Sequence, residues 1–154
     1  MMQALTREFI EDFYRARLSR DPEVLEPFID DQVDWLINGP IELLPYCGQR
    51  LGKAEVIETV TRIMPSIMHV NKIDLQTLLI DRQRAATFNR LTGVLIANNR
   101  VISYHQAQFM TFRNGKIVLY RSIIDSFDAA EQMIGHPIDL AAPPRFENEN
   151  LVAI

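Results

Sequence analysis

The sequence is poor in cysteine and has no excess of positive charge. Cys47 is the single cysteine among 154 residues, so an internal disulfide is excluded and a reducing compartment is favoured. The formal net charge is −4, which disfavours non-specific contacts with nucleic acid or an anionic membrane surface, because both need a basic face. No apolar run approaches the roughly 20 residues of a membrane span. We therefore expect neither a nucleic-acid nor a membrane partner.

Signals for export and for metal binding are also lacking. The stretch MMQALTREFIEDF is acidic and has helical spacing, without the apolar segment and cleavage site of a signal peptide, so we expect a cytoplasmic protein. The three histidines, His69, His105 and His136, share no spacing typical of metal ligands. We expect no metal and no cofactor.

Helical and extended patterns alternate in the first half of the chain. Apolar residues at helical spacing predict helices over 5–18 and 53–64, the second ended by Pro65. Between them, Asp21 and Pro22 have the order of a helix cap and first helical position. Residues 32–37 alternate apolar and polar side chains and predict a strand.

The second half of the chain predicts a meander of long strands. Turn signals separate them, the strongest being Asn114-Gly115. Asp128 is the candidate cap of a last helix that Gly135 stops. The predicted strands are 70–80, 85–97, 101–113 and 116–126. Helices followed by one long antiparallel sheet predict an α+β domain, in which a curled sheet and covering helices leave a cup for a small molecule.

Residues 38–53, NGPIELLPYCGQRLGK, combine glycine and proline with large apolar side chains. Ordinary surface loops are polar, so this composition needs a reason. We expect a loop that crosses the mouth of the cup, with its apolar residues, Tyr46 among them, at the pocket rim or against a neighbouring subunit.

Three pieces of the sequence resemble the SnoaL-like branch of the nuclear-transport-factor-two-like superfamily, which includes ketosteroid isomerases, limonene-epoxide hydrolases and polyketide cyclases. They are FIDDQVDWLINGP, LPYCGQRLGKAEVIETV and FMTFRNGKIVLYRSIIDSFDAAEQM. The resemblance implies a cone-shaped barrel, in which one strongly curved, mainly antiparallel sheet wraps around N-terminal helices over residues 1–136. Residues 137–154 would form an extended tail. It also implies a small-molecule ligand in an apolar pocket and a homodimer formed through the outer sheet face.

The resemblance to ketosteroid isomerases implies positions for a catalytic base and two hydrogen-bond donors. The base position falls near Trp35, and Asp34 is the only carboxylate nearby. The helix donor position falls on Phe13, beside Tyr14, and the late-strand acid falls on Gln108. Asp34 is therefore the candidate base, with Tyr14 and Gln108 as candidate donors.

The corresponding comparison with limonene-epoxide hydrolases implies that their catalytic set is missing. Their late aspartate falls on Ser122, and their arginine and earlier aspartate fall on Asn89 and Leu91. Epoxide hydrolysis by that mechanism is not expected.

Strand parity with the hydrolases places a polar wall on the inner face of the last two long strands. Buried polar groups cost about 1–3 kcal/mol each unless they are paired, so these groups either meet a polar ligand or satisfy one another across the hairpin. With two aromatic residues from earlier in the chain, the candidate ligand-binding residues are Trp35, Tyr46, Tyr104, Gln106, Tyr120 and Ser122.

Two functions remain open on this sequence. One is a cofactor-free enzyme that isomerises, cyclises or dehydrates a largely apolar ligand bearing a carbonyl or hydroxyl group, with Asp34 as base. The other is a non-catalytic, dimeric binding or assembly module on the same fold. His105 and Arg121 are expected on the outer sheet face, where a contact with Asp125 would suit a dimer interface.

Overall fold

A computed structural model describes residues 4–141 of the chain. In this range no helix is both long and apolar enough to cross a membrane. The predicted tail, 137–154, lies mostly outside the described residues. In chain order the elements are α1 (Arg7–Ser19), α2 (Pro22–Leu25), a 3₁₀ turn (Glu26–Phe28), β1 (Ile29–Asn38), β2 (Gly48–Leu51), α3 (Lys53–Glu58), a π-helical turn (Thr59–Ile63), α4 (Met64–Ile67), β3 (Met68–Asp81), β4 (Arg84–Leu95), β5 (Val101–Arg113), β6 (Lys116–Ile124) and α5 (Ser126–Ile134).

Side-chain caps fix the starts of three helices. The Thr6 hydroxyl accepts from the backbone N–H of Phe9 at the start of α1, and Asp21 caps α2 as its sequence predicts. At α5 the cap is Asp125, not the predicted Asp128. A capping side chain must lie immediately before the first helical residue. Asp125 occupies that position, and its carboxylate accepts from the backbone N–H of Asp128. Gly135 ends α5 in the left-handed conformation, as predicted.

The helical segment that begins at Lys53 does not end at Pro65, as the sequence predicts. After α3 the backbone widens into the π-helical turn, and α4 then restarts at Met64. Pro65 thus lies in the first turn of α4, where a missing N–H costs nothing because the first N–H groups of a helix have no partner within it. The helical conformation therefore continues to Ile67.

The six strands form one sheet in the order β2-β1-β6-β5-β4-β3. The β1 and β6 strands run parallel, whereas every other neighbouring pair is antiparallel. Because β2 and β3 are opposite edges, the curled sheet remains open. The predicted α+β cone is confirmed, with the short edge strand β2 as an addition that the sequence did not predict.

The core lies in the hollow of the curl. Strand β5 alternates buried and more exposed residues along its length, so one face of the sheet points inward. Helix α1 fills that hollow: the Phe9 ring meets Phe112 edge-on at 5.5 Å, and Phe13 meets Tyr120 at 6.4 Å between ring centroids. The helix and the inner sheet face therefore share one continuous apolar interior.

Three residues of the segment 38–53 form part of this interior. Leu44, Tyr46 and Cys47 are all buried, although Ile41 is exposed. Gly39 lets the chain approach closely, because a Cβ there would lie 2.6 Å from the Cys47 Sγ. The expectation that the apolar residues of this segment face the pocket rim is wrong for the three buried ones. Burial also raises the pKa of the Cys47 thiol to about 12, which makes it unreactive at neutral pH.

Candidate functional site

The predicted polar wall lies on the inner face of the sheet. Tyr104, Gln106 and Gln108 on β5 are buried, as are Tyr120 and Ser122 on β6. Gln108 and Ser122 are direct partners in the β5–β6 register. Strand parity therefore placed the side chains of this wall correctly.

A hydrogen-bonded network joins α1 to this wall. The Tyr14 hydroxyl donates to the Gln108 Oε1 at 2.5 Å and also lies 2.8 Å from the Thr87 Oγ1. The other end of the Gln108 amide donates to the Ser122 Oγ at 3.3 Å. Tyr14 and Gln108, the two candidate donors, are thus partners of each other.

Two residues of β4 complete the network and were missing from the candidate residues. The Asn89 amide donates to the Thr87 Oγ1 at 3.1 Å and accepts from the Gln106 Nε2 at 2.8 Å. Side chains alternate between the two faces along β4, so its period-two pattern could have identified Thr87 and Asn89 as inward-facing residues. We expected these groups either to meet a polar ligand or to bond one another. In the structure the amides and hydroxyls bond one another.

The phenols of Tyr46 and Tyr104 pair separately, with 2.8 Å between their oxygens. Tyr46 reaches the interior from the irregular segment before β2. All four tyrosines of the chain are buried. Burial away from water raises the pKa of each phenol above its usual value. All four hydroxyls are therefore neutral and can donate hydrogen bonds.

Arg17 enters the interior from the last turn of α1. Its side chain is almost fully buried, and its Nη1 donates to the Tyr120 hydroxyl at 2.8 Å. The guanidinium carbon lies 5.7 Å from the ring centroids of both Trp35 and Tyr120, a cation–π distance. The two rings stack at 3.6 Å with only 9° between their planes. We call Arg17, Trp35 and Tyr120 the cationic cluster.

Two donors in the cationic cluster have no acceptor. They are the Arg17 Nε and the Trp35 Nε1, both buried within the described part of the chain. Native interiors leave few polar groups unpaired, so two in one cluster are notable. Helical spacing allows either Ala16 or Arg17 at the inward position near the end of α1, and both are buried.

The prediction that Asp34 lies in the cup is wrong. Asp34 occupies the outer face of β1, where its Oδ2 and Oδ1 accept from the Arg121 guanidinium at 2.9 and 3.1 Å. Those bonds, and a further one from Gln49, hold the pKa of the carboxyl below its usual value. Trp35, the next residue, faces inward instead because β1 alternates. The sequence suggested a contact between Arg121 and Asp125. Arg121 instead pairs with Asp34.

The interior holds no Asp, Glu or His side chain among the buried described residues, so a carboxylate or imidazole base is absent from that region. The described residues also contain no cluster of three His, Cys, Asp or Glu side chains suited to a metal ion. The chemistry available inside the cone is donation by phenols, amides, an indole and a guanidinium.

The expected open cup is also corrected. Trp35, Tyr104 and Tyr120 have no water-accessible surface, because neighbouring side chains fill the cone. A cavity of about 20 Å³, enough for about one water molecule, adjoins Arg17. A larger hollow of about 320 Å³ lies outside it, between α1 and β3.

A model of the SnoaL-like domain family matches residues 10–120. The chain is similar to the crystal structure of a putative isomerase from Rhodopseudomonas palustris, with 32% identity, a TM-score of 0.79, and coverage of 86% of this chain and 100% of that one.

Two further solved structures share the fold at lower identity. One is an NTF2-like protein from Burkholderia thailandensis E264, with 19% identity, a TM-score of 0.71, and coverage of 86% and 98%. The other is a protein of ketosteroid isomerase-like fold from Catenulispora acidiphila in complex with trimethylamine, with 12% identity, a TM-score of 0.70, and coverage of 86% and 96%. A search of curated proteins gave no match.

Proposed function

The chain belongs to the SnoaL-like domain family, and from that premise we propose that it binds a small molecule inside the cone, at the cationic cluster. A fold of this family suggests a ligand-binding or isomerase-type protein, and the residues of the site must decide between the two. The observation that carries the proposal is the pair of buried donors without acceptors, Arg17 Nε and Trp35 Nε1. A ligand oxygen would supply what the protein does not.

The geometry favours binding over general-base catalysis. Proton abstraction of the ketosteroid isomerase kind needs a base within hydrogen-bond reach of the substrate. Asp34, the candidate base, is bonded to Arg121 on the opposite face of the sheet. The buried polar residues of the described interior are Arg17, Thr59, Thr87, Asn89, Gln106, Gln108 and Ser122, together with the tyrosines, and none of them is a base at neutral pH.

Different candidate residues would then have different roles. Trp35 and Tyr120 stack on each other and would hold the guanidinium of Arg17 in position by cation–π contact. Tyr14, Gln106, Gln108 and Ser122 bond one another, so they would shape the wall and hold α1 against the sheet. The Tyr46–Tyr104 pair closes the far side of the interior.

We also propose that the protein is a homodimer joined through the outer sheet face. Three large apolar side chains are exposed on neighbouring strands there: Phe88 on β4, Phe109 on β5 and Ile123 on β6. Ala107 lies between Phe88 and Ile123 in the register, which flattens the surface between them. A second copy of the chain would cover this outer patch, defined by Phe88, Ala107, Phe109 and Ile123.

Ligand binding is tested with a library of ring compounds supplied as matched pairs of carboxylic acid and carboxamide. Trp35 is the only tryptophan, so its emission reports on the interior alone. We expect some compounds to change that emission saturably and to raise the melting temperature in the same order. Free N-acetyltryptophanamide is the control for direct quenching. If no compound of either kind does both, the proposed function is wrong.

A further inference from the structure

The charge balance inside the cone is incomplete at Arg17. Arg17 retains only about 6% of its accessible surface, so most of its contact with bulk water is lost. Its protein partners are the neutral hydroxyl of Tyr120 and the faces of two rings. Ten ion pairs join other residues of the described chain, and none includes Arg17. The positive charge is buried without a counter-ion.

Such an arrangement is unfavourable for folding alone. Arginine is almost never buried unless it is paired, because an uncompensated charge loses its hydration without a matching attraction. A phenol and two aromatic faces replace only part of that hydration. An apolar side chain at position 17 would fill the same space at lower cost. The charge is explained if a negative group occupies the cluster in the working state of the protein.

The donors that lack acceptors fit the same negative group. The guanidinium Nε and the indole Nε1 can only donate, and an oxygen anion can only accept. The two groups are neighbours, with 5.7 Å between the guanidinium carbon and the Trp35 ring centroid. A carboxylate offers two acceptor oxygens and suits the planar fork of arginine.

The side chains around Arg17 indicate the chemistry of the rest of the ligand. The small cavity beside Arg17 is otherwise lined by apolar side chains: Leu18, Val60, Met64, Val70, Ile73 and Leu91. Leu18 and Ile73 also line the outer hollow between α1 and β3. Both side chains are half-buried, and a ligand that passed from the hollow to the cavity would pass between them.

We propose that the ligand is a small organic acid whose carboxylate pairs with Arg17 and whose apolar body enters between Leu18 and Ile73. The inference rests on the proposed function, since it names the class of molecule that the cationic cluster takes. Movement of Leu18 and Ile73 would open the cavity from its present volume of about 20 Å³.

The first test compares a bound carboxylic acid with its matched carboxamide on the wild-type protein, by calorimetric titration at neutral pH. A charge-assisted contact to a buried arginine predicts at least about a tenfold preference for the acid. Equal affinities would overturn the inference and leave the proposed function standing. Failure of every acid and every amide to bind would overturn both.

Variants of α1 test whether Arg17 is the source of the preference. In Arg17→Met the acid should lose at least about tenfold in affinity while the amide changes little, and Arg17→Lys should restore part of the preference. Arg62→Met is the control, because Arg62 is an exposed arginine in a helical segment and itself lines neither the hollow nor the cavity. Since the wild-type comparison needs no variant, a misfolded Arg17→Met protein does not remove the test.

The entry route has its own readout. Shortening the separating side chain in Leu18→Ala should raise the association rate constant of the acid, measured by stopped-flow Trp35 fluorescence. An unchanged association rate would contradict entry between Leu18 and Ile73.

Discussion

Individual side chains of this protein separate into those that satisfy one another and those that do not. The amides and hydroxyls of Gln106, Gln108, Asn89 and Ser122 form a closed set of contacts. Arg17 does not belong to such a set. The interior therefore has one region whose polar groups are paired and another, around Arg17 and Trp35, that contains two buried donors without acceptors.

Tyrosine ionisation tests the burial of the interior. All four phenols have a raised pKa because burial disfavours the phenolate, whereas unfolded tyrosine ionises near 10. The stability from these groups is complete below pH 10 and is lost as the pH rises toward the folded pKa values. We expect tyrosinate absorbance to appear only together with loss of circular dichroism, in one alkaline transition. Stepwise ionisation near pH 10 with intact ellipticity would show that the phenols are solvated.

The Asp34–Arg121 pair should act on stability and not on ligand binding. The bonds from Arg121 and Gln49 lower the pKa of Asp34, so the pair is fully formed above the usual value of 3.8 and is lost as the pH falls through the lower folded value. Both side chains are about a third exposed, and solvent screening limits their coupling to roughly 0.3–1 kcal/mol. A double-mutant cycle of Asp34→Asn and Arg121→Met measures it by urea denaturation. Loss of ligand affinity in Asp34→Asn would restore this carboxylate as a site residue.

At the scale of elements, close backbone contacts fix where β3 and β4 meet. Gly93 of β4 lies opposite Val70, near the start of β3. A Cβ at Gly93 would lie 2.8 Å from the Met68 side chain and 2.9 Å from the His69 carbonyl oxygen. The first neighbour is flexible, but the second is backbone and cannot move without disturbing the strand pair.

Gly93→Ala should therefore destabilise the protein by about 1–3 kcal/mol. Chemical denaturation measures the change as a lower midpoint with an unchanged slope. Gln76→Ala, at an exposed position of β3, is the control and should stay within about 0.5 kcal/mol of wild type. A Gly93→Ala protein as stable as that control would mean that the two strands separate more easily than their contacts indicate.

The sequence predicted these elements well where local rules act alone. Thr6, Asp21 and Gly135 bound their helices as capping and left-handed preferences require. The resemblance to the limonene-epoxide hydrolases, through strand parity, gave the inner face of β5 and β6 correctly.

The sequence was less informative where long-range contacts decide the local structure. Pro65 continues a helical segment because a π-helical turn precedes it, and β2 exists only because β1 offers a free edge. On β1, two adjacent residues competed for the inner face, and parity alone does not say which face is inside. The tertiary packing of Trp35 on Tyr120 decided it. Helical spacing allowed Arg17 on the inner side of α1, but nothing in the sequence indicated that its charge would be buried without an ion pair.

For the whole molecule, the outer patch predicts association. Exposed Phe88, Phe109 and Ile123 would be covered in a homodimer, and a charge at their centre would oppose it. We expect sedimentation equilibrium at micromolar concentration to give a dimer for the wild type and a monomer for Phe109→Glu. Val24→Glu, at an exposed apolar position on α2, should remain dimeric. A monomeric wild type would refute the proposed interface.

The measurement that tests the central claim most directly is the nuclear magnetic resonance signal of the Trp35 indole N–H. Because Trp35 is the only tryptophan, this group gives a single side-chain resonance, and it is buried without an acceptor. On addition of a saturating small organic acid, we expect a large displacement of that resonance, since the N–H gains a hydrogen-bond acceptor or a new neighbour. A bound acid that leaves the Trp35 resonance in place and displaces only signals from the outer sheet face would contradict ligand binding inside the cone.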